Sequence, residues 1–234
     1  MHAFARAPRS FVTLLAAVLG AAGFAMGAAA QAPAELPEPM APEAGEVVSR
    51  EQARLASETA RAYAEFTYTL EGQQYRGVPY KLGGKVSLEE FSRLLETSPE
   101  QAKEAGIDAS GLVVQAYRAV IPEIQFFTGP TGQEGLARTV NSVALYRWNV
   151  VPIPLEEAVP GDLLFFKSPA TPQITGVALV SRRVGQVIRV IVASESRGRV
   201  VEVGIRIGGP YWETRVAGLG RLVYAPMPYP AATR

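Results

Sequence analysis

The chain has 234 residues, 48% hydrophobic and 19% charged, enough for one packed domain or two small ones. Its 23 Lys and Arg against 22 Asp and Glu leave no broad basic field to draw it onto nucleic acid or an anionic membrane surface, so neither is expected as a partner. Zero Cys and a single His remove the usual thiol nucleophile, imidazole base and zinc ligands together, so no metal or other cofactor is expected and most hydrolytic chemistries are already difficult.

Residues 1–30 carry Arg6 and Arg9, then an uncharged apolar stretch from Phe11 to Phe24, then Ala28, Ala29 and Ala30 before Gln31. This is the layout of a cleavable secretory signal; the competing reading is an uncleaved anchor, since the uncharged run is long enough to span a bilayer. Cleavage before Gln31 places the protein in the periplasm or outside the cell. It also removes His2 and leaves 21 basic and 22 acidic residues, a net charge of −1. Residues 31–45 hold four Pro and three Glu among few large apolar side chains and read as a linker.

The folded domain is expected over 46–228, with a tail at 229–234. A helix is predicted from Glu46 to about Leu70, opened by Ser49 and Gln52 as a capping box, with Leu55, Tyr63, Phe66 and Leu70 near one face and Gly72 as its stop. The Gly- and Pro-rich segment 75–84 reads as turns. Lys85 after Gly84 fails as a phosphate loop, because Pro79 and Val86 stand where Gly and Ser or Thr are needed. Two short helices are predicted within about 88–105, from the start signals at Ser87 with Glu90 and at Ser98 with Pro99. Asp108 then caps an apolar helix that Pro122 stops. The stretch 121–160 reads as mostly loop, with a helix near Leu136–Tyr146. Beyond Pro160 come strands at 162–166, 174–181, 186–193, 199–205 and 217–225. Helices followed by neighbouring strands give an α+β fold with an antiparallel sheet.

Five landmarks in order carry a resemblance. They are Tyr75-x-Gly77-x-Pro79-Tyr80-x-x-Gly83-Gly84, Asp108-Ala109-Ser110-Gly111-Leu112, Leu136-Ala137-Arg138-Thr139, Pro160-Gly161-Asp162-Leu163-x-Phe165-Phe166 and Val177-Ala178-Leu179-Val180. Together they resemble the NlpC-type cell-wall endopeptidases over about residues 50–225. That resemblance implies a papain-like domain, with N-terminal helices packed on an antiparallel sheet of about five strands, and an activity on the peptide stems of peptidoglycan.

The departures from the pattern bear most on function. The family has its Cys nucleophile where this chain has Ala109, its His base where this chain has Gly176, and a polar orienter, often His, where the best match is Val192. A Cys at a helix N-terminus gains thiolate character from the macrodipole and a nearby His, and an Ala methyl gains nothing there. The resemblance therefore implies a catalytically inactive domain. It would bind a peptidoglycan peptide or a cell-envelope protein through the former active-site groove, lined by Tyr80, Gly84, Asp108 and Ser110.

The alternative is a peptide hydrolase using unconventional residues, such as Ser110 with Lys81 or Lys85, or the carboxylates Asp108 and Asp162. Structural roles compete at each position: Ser110 as a first-turn serine bonded to backbone, the two Asp as caps, Tyr80, Trp148 and Trp212 as core aromatics. The arginines 182, 183, 197 and 199 read as solvated charges or as contacts for acidic peptide. The 23 residues between Gly84 and Asp108 exceed the short loop implied by the resemblance, and are expected to form a helical flap over the vacated site through Phe91 and Leu95.

Overall fold

The structure, a computed structural model, describes residues 35–130 and 135–226. The signal segment 1–30 and the tail 229–234 lie outside the described residues, as do 31–34 of the linker. The rest of the linker is laid against the domain: the Met40 N–H donates to the Arg147 carbonyl at 2.6 Å, and Ala41 packs beside Phe127 and Val223.

After a short strand β1 (Glu46–Val47), Ser49 caps α1 (Arg50–Glu65), with the expected capping box formed in both directions at 3.2 and 2.8 Å. The helix stops at Glu65, short of the expected Leu70. Its supposed last turn is instead β2 (Thr67–Leu70), paired with β3 (Gln73–Arg76). Thr67, Tyr68 and Thr69 are β-branched or aromatic and alternate with period two, which favours a strand. Glu71 and Gly72 both have positive φ, 51° and 77°, the twist a two-residue hairpin turn requires. The buried face of α1 also differs from the expectation: Ala53, Ala56, Ala60 and Tyr63 are covered, whereas Leu55 is exposed.

Helices α2 (Leu88–Thr97) and α3 (Pro99–Glu104) form as expected, Ser87 accepting from the Glu90 N–H and Pro99 opening α3. Asp108 caps α4 (Ala109–Val120), which ends before Pro122 as the sequence indicates. The helix expected at Leu136–Tyr146 starts later: β4 (Phe126–Phe127) pairs with β5 (Leu136–Ala137), and α5 (Ser142–Trp148) begins where the Asn141 side chain accepts from the Ala144 N–H.

β6 (Val150–Ile153), β7 (Leu163–Lys167), β8 (Ile174–Val184), β9 (Val187–Ser194), β10 (Arg199–Arg206) and β11 (Val216–Tyr224) follow, with α6 (Pro210–Glu213) before the last. The sheet is antiparallel, in the order β1-β11-β7-β8-β9-β10. It has seven strands rather than about five, because β1 and β6 share one edge of β11. Side chains alternate across the sheet. Val177, Leu179, Ile191 and Ala193 face the large core built with α1 and α4, while Ala178, Val180, Ile188 and Val190 face a second core on the other side. A buried hydrogen bond from the Ser57 hydroxyl to the Val180 carbonyl at 2.9 Å and another from Tyr117 to the Gly161 carbonyl at 2.8 Å tie the helices to the sheet.

Candidate functional site

At the head of α4 five of the expected site residues come together. The Asp108 carboxylate is fully engaged: Oδ1 accepts from the Gly111 N–H at 2.6 Å and the Ser110 hydroxyl at 2.9 Å, and Oδ2 accepts from the Gly83 N–H at 3.1 Å. Its own N–H donates to the Gly84 carbonyl at 2.9 Å, so the Gly83-Gly84 turn and the first turn of α4 are locked to each other. Gly111 permits this, since a Cβ there would press on the Gly84 carbonyl. Tyr80 bridges to Ile107 on one side and donates its N–H to the Gly198 carbonyl, 2.8 Å away in the β9–β10 turn, on the other. Burial, then the negative charges of Glu195 and Asp108, push the Tyr80 phenol above its ordinary range, so it stays a hydrogen-bond donor throughout neutral pH.

Ala109 opens α4, partly buried, in the place where a side chain would feel the positive end of the helix. Ser110 is 4% exposed and its hydroxyl donates to Asp108 Oδ1. Lys81 pairs with Glu104 at 2.8 Å, and the carbonyl of Lys85 accepts from Gln115. The proposed carboxylate pair also separates, since Asp162 is fully buried against Arg221 with Oδ1 2.9 Å from Nε, while Asp108 caps α4.

Gly176 and Val192 stand on adjacent strands and have the same parity as Ala178 and Val190, so both turn to the face away from α4. A Cβ on Gly176 would meet only the Phe166 ring, at 3.7 Å, and Val192 lines a cavity of about 680 Å³ together with Lys167, Arg197, Tyr211, Trp212 and Arg215. Sequence reasoning missed Lys167 and Arg215, and treated Trp212 as core. The run Tyr211-Trp212 with Arg215 four residues after the Tyr was the available signal. Trp148 is a packing residue, set beside Phe127 with the Arg147 guanidinium 4.6 Å from its ring centre. Arg182 and Arg183 are exposed on β8. Among the described residues no group of three or more His, Cys, Asp or Glu is placed to hold a metal ion.

The segment between Gly84 and Asp108, expected as a helical flap, is anchored at both ends and at its buried aromatic. Its ends pair where Lys85 bridges to Ile107, and its buried aromatic, Phe91, sits edge-on to Phe66 and Tyr68, 5.9 and 5.2 Å away. Through Phe91 it packs against Phe66 at the end of α1 and Tyr68 of β2, and Glu90 and Leu94 border the Gly83-Gly84 turn.

Comparison with known proteins adds the following. The sequence model of the NlpC/P60 family matches residues 77–221, more than half of the chain. No curated protein matches. Among solved structures, a protein of Staphylococcus aureus subsp. aureus Mu50, described as similar to lipoprotein and of the NLP/P60 family, is 19% identical with a TM-score of 0.43. The match covers 77% of this chain and 44% of that one, so the chain spans less than half of that protein's length.

Proposed function

The chain belongs to the NlpC/P60 family, a domain type with cell-wall related function, and from that premise we propose that it is an exported, catalytically inactive member that binds a peptidoglycan stem peptide. One observation carries this reading: Ala109 occupies the first position of a properly capped α4, with the surrounding Tyr80, Gly84 and Asp108 locked in place. The helix N-terminus that favours a thiolate stands there, and the residue at it has no proton to exchange. Gly176 and Val192 likewise carry no base or orienter, and removing residues 1–30 leaves a chain without His or Cys.

Titration calorimetry with purified muropeptides, followed by mass spectrometry of the mixture, tests the proposal. The expected result is binding without new fragments, weakened when Tyr80 is replaced by Ala. Cleavage products would overturn the inactive reading. Absence of heat at millimolar peptide, with the protein folded, would instead favour a cell-envelope protein as the partner of this surface.

A further inference from the structure

The strand order leaves β10 at one end of the sheet, with β9 on one side and no strand on the other. Its start is sealed by the segment around Pro79: the Tyr80 N–H donates to the Gly198 carbonyl and the Val200 N–H to the Val78 carbonyl, each at 2.8 Å. Backbone groups alternate in direction along an antiparallel strand, and Ile207 donates inward to Gln186, so the residues that turn outward beyond Val200 are Glu202, Gly204 and Arg206. Among the described residues no hydrogen bond meets the backbone of Glu202 or Gly204, or the N–H of Arg206. The Arg206 carbonyl accepts only from the Gly209 N–H of its own turn, at 3.2 Å. Past Val200 the edge is bare.

A bare edge is a template for another strand, and proteins that avoid such pairing blunt the edge with proline, lysine or a very short strand. The opposite end of this sheet is blunted in that way, since β1 has two residues and β6 carries Pro152. β10 has eight residues and neither proline nor lysine. Its pattern is instead complementary to itself. With a two-fold axis at Gly204, every outward residue of one copy stands opposite an outward residue of the other: Gly204 faces Gly204, and Glu202 faces Arg206 in both halves. Neighbouring registers fail. Moving the axis to Val203 sets Arg206 against Val200, already bonded to Val78, and moving it to Ile205 sets Glu202 against Gly208, past the end of the strand.

The side chains agree with that register. Glu202 and Arg206 share one face of β10; Glu202 is held by the Ser181 hydroxyl and the Arg189 guanidinium at 2.5 and 2.9 Å, whereas Arg206 is exposed and in no ion pair with a described residue. Opposite charges directly across a strand pair stabilise it, and like charges oppose it. On the other face Val203 of one copy meets Ile205 of the second, extending the apolar row of the second core. Gly204, exposed at the midpoint, has no side chain to hold two backbones apart. We propose that β10 is the docking edge for a second copy of this chain, joining two seven-stranded sheets into one antiparallel sheet through Glu202, Gly204 and Arg206. Val203 and Gly204 also line the cavity beside Val192, so the axis sets the two cavities near each other on one face of the joined sheet. The inference does not rest on the proposed function, because neither Ala109 nor Asp108 takes part in the pairing.

Sedimentation equilibrium and amide hydrogen exchange over a range of protein concentrations test it. A contact of this size is expected to give a dimer with a Kd on the order of 10 to 100 µM. The Gly204 and Arg206 amides should exchange about tenfold more slowly in the dimer than in the monomer. Arg206→Glu sets like charges opposite each other and should weaken the dimer about tenfold or more, and Arg206→Lys should keep it within about threefold. Arg206→Pro removes an outward N–H and should also weaken it about tenfold or more. All three should keep the circular dichroism of the parent, because Arg206 is exposed at the end of its strand. A monomer at millimolar concentration overturns the proposal. A dimer that Arg206→Glu leaves intact overturns it too, placing the contact elsewhere, and so does protection of Gly204 and Arg206 already complete in the monomer, which would mean that the chain itself covers the edge.

Discussion

The Arg221 guanidinium grips the Asp162 carboxylate with two arms, Nε to Oδ1 at 2.9 Å and Nη2 to Oδ2 at 3.2 Å, at a point where Asp162 has no solvent exposure. Asp162 also accepts the Val159 N–H at 2.9 Å, so both oxygens are satisfied and the Pro-Gly-Asp landmark is explained by structure rather than chemistry. Because breaking a buried pair strands the remaining charge, Asp162→Ala and Arg221→Ala should each cost about 3 to 5 kcal/mol. Urea unfolding measures this. The double variant should lose less than the sum of the two, and strict additivity would show that the pair is not coupled.

Gly161 of the Pro-Gly-Asp landmark and Gly176 at the start of β8 should respond very differently to an added methyl group. Gly161 has a φ of 92°, and a Cβ there would run into the Ala53 backbone, where α1 meets the turn before β7. Gly161→Ala combines a disfavoured backbone with a clash against main chain and should cost about 3 kcal/mol or prevent folding. Gly176 lies outside the left-handed region, and its only neighbour is the Phe166 ring, so Gly176→Ala should shift stability by about 0.5 kcal/mol or less. Parallel melts of the two variants decide it.

Alkaline pH should destabilise the domain through buried phenols. Burial pushes Tyr63 up to about 12 from an ordinary value near 10, and pushes the fully buried Tyr117 higher still. The folded state holds the proton more tightly than the unfolded chain does. The contribution is therefore full below pH 10 and is lost as pH rises through the folded value, about 3 kcal/mol for Tyr63 once that value is passed. Tyr63→Phe should flatten the fall in melting temperature between pH 10 and 12 without removing it, because Tyr117 still titrates late. An unchanged slope would mean that Tyr63 is already accessible in the folded state.

What the sequence discloses and what it conceals follow from how far apart the interacting residues lie. Caps at Ser49, Ser87 and Asp108 involve partners three residues away, and each is found as read. The cap at the head of α4 was readable for the same reason, whereas its ties to the Gly83-Gly84 turn and the Tyr80 bond to Gly198 join distant parts of the chain. The start of β2 was misread because Phe66 and Leu70 fit a helical face as well as a strand face, and pairing with β3 decides between the two. On α1 the small residues are buried because the Gly161 turn comes up against Ala53, a long-range contact that no helical period reveals. The cavity needed still more: Phe166 and Trp212 meet across 46 positions, and Lys167 and Arg197 across 30, so only the assembled strands and α6 show that their side chains face one space.

The placement of the lost catalytic groups can be tested by restoring them. A Cys at 109 would sit at the first position of α4, where the helix N-terminus favours a thiolate, although the neighbouring Asp108 carboxylate opposes it. A His at 176 finds no backbone obstacle, because that residue avoids positive φ and its Cβ would rest in ordinary contact with the Phe166 ring at 3.7 Å, and a His at 192 would enter the cavity that Val192 now lines. The two imidazoles would share one face of adjacent strands, but that face is turned from α4, so the base must reach round the start of β8 to meet the thiol. If it does, the imidazolium pulls the thiol below its free value of about 8.5, and the triple variant should react with iodoacetamide near neutral pH several times faster than Ala109→Cys alone. Cleavage of peptide is not required for this result, since turnover also demands substrate held to a fraction of an ångström. Equal alkylation rates in two folded variants would show that Gly176 is not where a base can serve residue 109, and would remove the assignment of that position.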